Sequence, residues 1–430
     1  MKKQLAIFVL VLLCGCTQKA KISVPEVDLN MAKVALTEFE DVLKNDNSKL
    51  WNHSLRGPIL FVNPQTRTLV ANEQDADGDL ILSADLYTGI LPESQNIANT
   101  AVGWNGTYWT MVFFPLPEEK ADRLSLLAHE SFHRIQPEIG FDSLFEIQSS
   151  HLDTEKGRVF LKMEVEALKK ALNSKDYNKH IKNAILFRDY RYQLFPEAKK
   201  AENTLELIEG LAEYTGVILS GRNEEELVTY LRSRLDQLND VPSFIRSFAY
   251  YTIPVYGYFM RKTDEKWNLS ITRLTNLSDF ISEFFNVKRS ELSEKDIREI
   301  GKEYDITSIS EFENNREIAK QEQISNYKVS LLGDNVMEIS FEKMQISFNP
   351  NNLIPLDTFG TVYPNLRISD SWGILEVDSC GALVTNWSKV TVSGPVSISD
   401  TLISGRGWKL KLESEWKLVK QGSKTVVVRK

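Results

Sequence analysis

The spacing of hydrophobic residues along the chain changes period twice, and each period indicates a different kind of structure. Residues 28–43 place Met, Val, Leu and Phe side chains at helical spacing, which predicts an amphipathic helix. Residues 57–114 instead contain short runs of branched and aromatic residues separated by Asn, Pro, Asp and Gly, which is typical of strands and turns. The predicted strands are 59–62, 68–70, 80–82 and 107–114, and the last of them is the most aromatic.

The middle of the chain, from residue 118 to about residue 325, has the period of helices. A helix over 118–136 begins with acidic residues and ends before Pro137. Further helices are predicted at 156–172, 178–193, 199–219, 223–238 and 243–261, with weaker ones at 277–305 and 309–325.

Beyond residue 327 the pattern returns to short strands. These are predicted at 336–348, 360–368, 373–377, 389–392, 408–412 and 425–428, and they form an all-β module of roughly 100 residues. The sequence therefore predicts the α+β fold class, with a mixed N-terminal β-sheet, a mainly helical middle and a small all-β C-terminal module. We divide the chain into domains at residues 25–325 and 326–430.

The first residues have the features of a secretion signal. Two lysines precede an apolar stretch at 5–13, which is too short for a stable membrane helix. The following Leu-Cys-Gly-Cys resembles a lipobox, which implies a signal peptide 1–15, lipidation of Cys16 and a tether over 16–24. The alternative is a plain signal peptide with two incidental cysteines. A lipidated Cys16 would anchor the protein in the membrane of a bacterial cell envelope.

The residue after Cys16 bears on which membrane this is. An aspartate there would signal retention in the inner membrane, so Thr17 favours the outer membrane.

Charge and cysteine content limit the partners and the kind of metal site. The 430 residues carry a formal net charge of -8 without a basic stretch, which argues against nucleic acid as a partner. Once Cys14 leaves with the signal peptide and Cys16 is acylated, Cys380 alone remains. Neither an intramolecular disulfide nor a multi-cysteine metal site is then available, so any metal must rely on His, Asp or Glu. The oligomeric state is not indicated.

The sequence His-Glu-Ser-Phe-His at 129–133 lies inside the predicted helix 118–136. Positions i and i+4 project from one helix face, so His129 and His133 can bind one zinc ion. Glu130 then lies beside the metal and can accept a proton from water, as the general base of a hydrolase. The alternative is an incidental match on a surface helix.

Zinc in a catalytic site takes a third protein ligand and keeps one position open. A third histidine six residues after His133, as in the metzincins, is excluded because that position is Ile139. His151 and His180 remain candidates, although neither has a recognisable context. The third source is a glutamate of the segment Leu-Glu-Leu-Ile-Glu-Gly-Leu-Ala-Glu-Tyr at 205–214.

A His-Glu-x-x-His sequence followed by a helix with Glu-Gly-x-Ala is similar to the gluzincin metallopeptidases, which include thermolysin and the membrane-alanyl aminopeptidases. The resemblance implies a zincin-like domain, Zn²⁺ as cofactor, a peptide or protein substrate, Glu209 as third ligand and Glu213 as the carboxylate that holds a ligand imidazole. Gly210 would let the two helices approach closely. The interval of 75 residues between His133 and Glu209 is longer than in those enzymes. The stretch 161–216 also resembles uncharacterised bacterial proteins that pair His-Glu-x-x-His with Glu-Gly-Leu-Ala-Glu-Tyr-Thr-Gly.

Gluzincins also use a tyrosine or histidine to stabilise the oxyanion, and a tyrosine-rich segment follows at 246–258. Tyr251 and Tyr256 are our candidates, since a phenol can donate to a developing oxyanion. The alternative for each is a place in the hydrophobic core. By the same resemblance, the aromatic strand 107–114 would lie along the cleft and pair with an extended peptide.

Three charged residues between the two motifs have two interpretations. Glu164, Arg188 and Glu202 could form a buried ion network that braces the zinc helices, or they could be ordinary surface charges.

The sequence therefore favours a zinc-dependent metallopeptidase. The alternative is a non-catalytic envelope lipoprotein, binding or structural, that retains a metal-binding helix. A third hypothesis is that the C-terminal module delivers the enzyme to a glycan, the envelope or a partner protein. Its tryptophans are expected in the core or in hairpins rather than on a sugar-binding surface: Trp372, Trp387, Trp408 and Trp416.

Overall fold

The N-terminal part of the protein is a mixed six-stranded sheet preceded by one helix. The structure, a computed structural model, describes residues 27–430 except 93–94, 96, 290, 350–351 and 400. The elements are α1 Leu29–Asp46, β1 Ile59–Val62, β2 Thr68–Ala71, β3 Ile81–Ser83, β4 Leu86–Ile90, β5 Thr100–Trp104 and β6 Thr107–Phe113. The strand order is β3-β4-β2-β1-β6-β5, with β6 parallel to β1 and the other neighbours antiparallel. The edge beside β6 is thus formed by β5, a strand that the hydrophobic pattern did not predict.

Helix α2, Lys120–Ile135, contacts β5 and β6 and carries the His-Glu-Ser-Phe-His sequence. Its apolar face, with Leu127 and Phe132, is buried in the same core as Phe61 of β1 and Val112 of β6. Pro137 cannot extend the helix because it has no N–H to donate. Burial of this face sets the rotation of α2 and therefore the direction in which its histidines project.

The region after α2 is helical, as predicted. Its helices are α3 Glu155–Asn173, α4 Tyr177–Leu194, α5 Ala198–Leu205, α6 Leu211–Ile218, α7 Glu224–Gln237, α8 Ala249–Thr263, α9 Leu277–Phe284, α10 Glu294–Gly301 and α11 Ile306–Leu332. The predicted helix 199–219 is interrupted by a π-helical turn at Glu206–Gly210. The predicted helix 277–305 is divided into α9 and α10.

The C-terminal part consists of strands in two sheets. They are β7 Val336–Ser340, β8 Gln345–Phe348, β9 Ile354–Pro355, β10 Thr361–Tyr363, β11 Leu366–Asp370, β12 Gly373–Val377, β13 Ala382–Thr385, β14 Lys389–Ser393, β15 Pro395–Ile398, β16 Leu402–Gly405, β17 Trp408–Leu412, β18 Trp416–Gln421 and β19 Lys424–Arg429. The sheet orders are β18-β19-β7-β14-β13-β10-β9 and β15-β16-β17-β12-β11-β8. Both sheets contribute to one hydrophobic core, which includes Trp372, Trp408 and Trp416, whereas Trp387 is exposed in the turn between β13 and β14. The predicted α+β class is confirmed.

Helix α11 joins the helical region to the C-terminal sheets. Tyr327 and Leu331 near its end pack against Leu356, Val362 and Leu383 in a small separate core. The boundary that we placed between residues 325 and 326 falls inside this helix. The helix contacts α3 of the helical region as well as β7 and β14 of the C-terminal sheets.

The predicted signal peptide 1–15, the lipidated Cys16 and the tether 16–24 lie outside the described residues. In the part of the chain that the structure describes, no helix is long and apolar enough to cross a membrane.

Candidate metal centre

The side chains of His129, His133 and Glu209 converge on one point. The two Nε2 atoms are 3.1 Å apart, and Oε2 of Glu209 lies 3.2 Å from Nε2 of His133 and 3.6 Å from Nε2 of His129. Ligand atoms about 2.0–2.1 Å from a tetrahedral zinc ion lie roughly 3.3–3.4 Å from one another. The three atoms are therefore spaced like three ligands of one zinc ion, with the fourth position open.

Two glycines bring the helices of this site together. Gly210 ends the π-helical turn that carries Glu209, and a Cβ there would lie 2.7 Å from Cγ1 of Ile253 in α8. Gly216 packs α6 against α2, because a Cβ there would lie 2.5 Å from the carbonyl oxygen of Ser125. The close approach to the histidine helix that we expected at Gly210 is thus made at Gly216, while Gly210 accommodates α8.

Each ligand histidine is oriented by a second residue. Nδ1 of His129 lies 2.9 Å from Oε2 of Glu213, as expected, and Nδ1 of His133 lies 2.8 Å from Oε1 of Gln136. With both Nδ1 atoms protonated, the rings donate to these oxygens and leave Nε2 free for a metal. The Gln136 amide also donates to the carbonyl oxygen of Ile208 at 2.9 Å, which ties the π-helical turn to α2. The sequence analysis did not predict this role of Gln136. Its position three residues after His133, on the same helix face, could have indicated that it contacts the imidazole.

The electrostatics of the site favour a bound cation. Burial alone would lower the pKa of His129, but the carboxylates of Glu209 and Glu213 beside it outweigh this effect and raise the pKa to about 10. Burial would raise the pKa of Glu209, but the two neighbouring histidines hold it far below its usual range. The carboxylates thus create a negative potential that attracts either a proton or a metal ion.

Glu130 is buried beside the ligands and is not engaged. Its carboxylate lies within 4.8 Å of the ligand atoms of His129 and His133. Burial raises its pKa, and Oε2 has no hydrogen-bond partner among the described residues. A buried carboxylate oxygen without a partner is costly, and such atoms occur where a site needs them. Both carboxylates are within reach of the histidines, but Glu209 is the better candidate for a ligand, because its oxygen closes the triangle with the two nitrogens.

The tyrosine that reaches the site is Tyr250. Its ring stacks on His129 with centroids 5.7 Å apart and an interplanar angle of 9°, and its hydroxyl interacts with the carboxylate of Glu209. Burial and the neighbouring carboxylate raise its pKa, so that the phenol stays protonated. Tyr250 can therefore donate a hydrogen bond at the metal position.

The structure corrects our choice of tyrosines. The Tyr251 ring lies under the guanidinium of Arg234, at 4.7 Å, and Tyr256 is fully buried and donates to Glu164 at 3.0 Å. Successive residues of a helix point about 100° apart, so neighbours in the sequence project from different faces of α8. The predicted segment reaches the site, but through Tyr250 and not through Tyr251 or Tyr256.

The two other candidate histidines are engaged elsewhere. His151 bonds to Glu202 at 2.6 Å through Nε2, and His180 bonds to the hydroxyl of Tyr304 at 2.7 Å through Nδ1. Both are paired away from the ligand triangle, which leaves Glu209 as the remaining candidate for a third ligand.

The metal position lies in a cleft with two parts. One part, of about 360 Å³, extends past His133 and Glu209, and the other, of about 570 Å³, extends past Glu213; both are lined by His129, Glu130 and Tyr250. Thr100 and Ala101 of β5 line the first part. The expectation that strand 107–114 pairs with a peptide is wrong, because β6 is hydrogen-bonded to β1 and β5 on its two sides. Among the described strands of this sheet, the edge strand at the cleft is β5.

A buried ion network lies behind the π-helical turn, so the surface-charge interpretation is wrong. Arg188 contacts Glu164 at 2.7 Å and Glu206 at 2.8 Å, and Arg191 contacts Glu164 at 2.9 Å and Glu202 at 2.7 Å. All five side chains are at most 1% exposed. Glu206 is the first residue of the turn that bears Glu209, so the network anchors that turn to α4.

Comparison of the chain with protein-family models, curated proteins and solved structures finds no significant match. The assignment of the site therefore rests on its own geometry and chemistry.

Proposed function

We propose that this protein is a zinc-dependent metallopeptidase, in which His129, His133 and Glu209 bind the metal and Glu130 is the general base. The observation that carries this proposal is the triangle of two imidazole nitrogens and one carboxylate oxygen, with edges of 3.1, 3.2 and 3.6 Å. A buried carboxylate without a hydrogen-bond partner lies beside it.

The donor set suits zinc, which prefers nitrogen and oxygen ligands in tetrahedral geometry and keeps one position open in catalytic sites. When bound, zinc supplies Lewis-acid chemistry that polarises a carbonyl group and makes water more acidic. A purely structural zinc site is closed by four protein ligands and has no use for a free carboxylate such as Glu130. This difference favours a hydrolase over the alternative of a non-catalytic lipoprotein.

The chain's own residues supply the proton transfers and the binding of substrate. Glu130 takes a proton from the attacking water and returns it to the leaving amine. The Tyr250 hydroxyl donates to the carbonyl oxygen as negative charge develops there. The free edge of β5 pairs with the backbone of an extended peptide, which favours peptides as substrates.

The test of this proposal is a charge-neutral substitution of the base. The full-length Glu130→Gln protein should bind zinc as the wild type does and lose hydrolysis of a peptide library by about 10²–10⁴-fold. The matched control is Glu119→Gln, an exposed residue just before α2 whose side chain makes no capping bond. Full activity in the Glu130→Gln protein would show that the mechanism is wrong. A zinc-loaded wild type that cleaves no peptide would favour the binding or structural lipoprotein.

We also propose that Cys16 is lipidated and attaches the enzyme to the cell envelope, where it would meet exported peptides and proteins. The support is the lipobox-like Leu-Cys-Gly-Cys after a short apolar stretch. Labelled palmitate should be incorporated into the wild type and not into a Cys16→Ser protein.

A further inference from the structure

The larger part of the cleft contains a cation that zinc binding and proton transfer do not use. This part, of about 570 Å³, lies between α2 and α7 and is lined by Ser125, Glu213, Tyr230 and Arg234 as well as by His129 and Glu130. Among the described residues that line either part of the cleft, Arg234 is the single lysine or arginine. It lies on α7, the helix that faces the metal helix across the cleft.

Arg234 is held in place but keeps hydrogen-bonding capacity. Its guanidinium stacks on the Tyr251 ring at 4.7 Å, and one terminal nitrogen donates to Oε1 of Gln237 at 3.1 Å. The other terminal nitrogen forms a long ion pair with Oε1 of Glu213, 3.7 Å away, which is too far for a hydrogen bond. Nε finds no acceptor in the described part of the chain but is itself buried, so the donors left for a ligand are on the two terminal nitrogens. The guanidinium is therefore oriented before a ligand binds, and some of its N–H donors remain without an acceptor.

The neighbouring Arg222 shows the contrast. It forms an ion pair with Asp122, and its guanidinium lies 3.8 Å from the centroid of the Tyr230 ring. Arg222 is thus neutralised by a partner at the rim of the cleft. The carboxylate nearest to Arg234, that of Glu213, is already hydrogen-bonded through Oε2 to His129.

A planar guanidinium fixed on an aromatic ring matches a carboxylate in shape and charge, and can donate two parallel hydrogen bonds to it. We propose that Arg234 binds a carboxylate of the substrate, so that the enzyme acts on peptides with an anionic group close to the scissile bond. This inference rests on the proposed peptidase function. The carboxylate is either the C-terminal end of the peptide or an Asp or Glu side chain.

The experiment measures binding without turnover. In the full-length, zinc-loaded Glu130→Gln protein, calorimetry would compare two pairs of peptides. One pair differs only in a C-terminal carboxylate or carboxamide, and the other, amidated at the C-terminus, differs only in an internal Asp or Asn. We expect one pair to show at least about a tenfold preference for the carboxylate, as hydrogen bonds to charged groups give.

The pair that shows the preference identifies the source of the carboxylate. Adding Arg234→Gln should abolish the preference, whereas Arg232→Gln, an exposed arginine on the same helix, should preserve it. In the catalytically intact background, kcat/KM for the same pair should show the same loss of discrimination. Zinc content, measured in every variant, checks that the metal site persists.

Three results would overturn the inference. They are equal or unmeasurable binding of both members in each pair, a preference that persists without Arg234, and a parallel loss of zinc and of all peptide binding in Arg234→Gln. The last result would mean that Arg234 only positions Glu213. A protein that binds carboxylate peptides selectively but does not hydrolyse them would instead contradict the proposed function and leave the carboxylate site standing.

Discussion

Oε2 of Glu213 lies 2.9 Å from Nδ1 of His129, on the side of the imidazole opposite the metal position. This contact connects α6 to α2 and sets the tautomer and rotation of the ring. A carboxylate in this place also makes the imidazole a stronger ligand. Glu213 therefore orients His129, and in the proposed zinc site it would act on the metal through this ring.

Replacing Glu213 by Ala should lower zinc affinity by about 10–100-fold, as the loss of such a partner does in other zinc sites. Competition with a chromophoric chelator would measure the change. Glu225→Ala, on an exposed turn of α7, should leave the affinity unchanged. Wild-type affinity in the Glu213→Ala protein would contradict the role we give to this contact.

Glu209→Ala should lose most of the bound zinc, because it removes one of the three atoms of the ligand triangle. A metal that binds only the folded protein raises its melting temperature by mass action. A chelator should therefore lower the melting temperature of the wild type and have little effect on Glu209→Ala. Metal analysis that finds undiminished zinc in the variant would remove Glu209 from the site.

Removing the hydroxyl from each tyrosine of α8 in turn should affect activity in one case and stability in another. Tyr250→Phe should lower kcat by about 10²–10³-fold if its hydroxyl donates to the developing oxyanion. Tyr256→Phe should instead lower the free energy of unfolding by roughly 1.5–3 kcal/mol, since its hydroxyl donates to the buried Glu164. Tyr251→Phe should change neither quantity appreciably. Kinetics and urea unfolding of the three variants would distinguish these roles, and equal kcat losses in all three would refute them.

The buried network should make stability depend on pH through Glu206. Burial raises the pKa of Glu206 to about 7, because Arg188 is shared with Glu164 and only partly offsets the desolvation. The folded protein thus binds this proton more tightly than the unfolded chain. The resulting stabilisation is complete below the ordinary pKa of 4.5 and is lost as the pH rises through 7.

Glu206→Gln carries no such proton, so its stability relative to the wild type should rise by roughly 3 kcal/mol across this pH window. Urea unfolding of both proteins at the two ends of the window would measure the difference. The exposed Glu197→Gln should show no comparable trend. A relative stability of Glu206→Gln that does not change with pH would mean that Glu206 stays ionised beside Arg188.

The sequence by itself determined the features that depend on local geometry. His129 and His133 share a face because a helix repeats every 3.6 residues, and Glu130 follows from its place between them. The α+β class followed from the change of hydrophobic period along the chain. This period distinguishes helix from strand by residues that are close in the sequence. Glu209 and Glu213 were predicted from the resemblance of the Glu-Gly-Leu-Ala-Glu segment to the gluzincins.

Only the tertiary structure decided which surfaces meet. Tyr250 instead of Tyr251 faces His129 because the rotation of α8 depends on its packing against other helices, including the contact of Ile253 with Gly210, which is far away in the sequence. The strand β5 lines the cleft because the strand order of the sheet depends on pairings that no local pattern encodes. Arg234 reaches the cleft for the same reason. Its direction depends on how α7 packs against distant parts of the chain, and its position along the helix does not determine this.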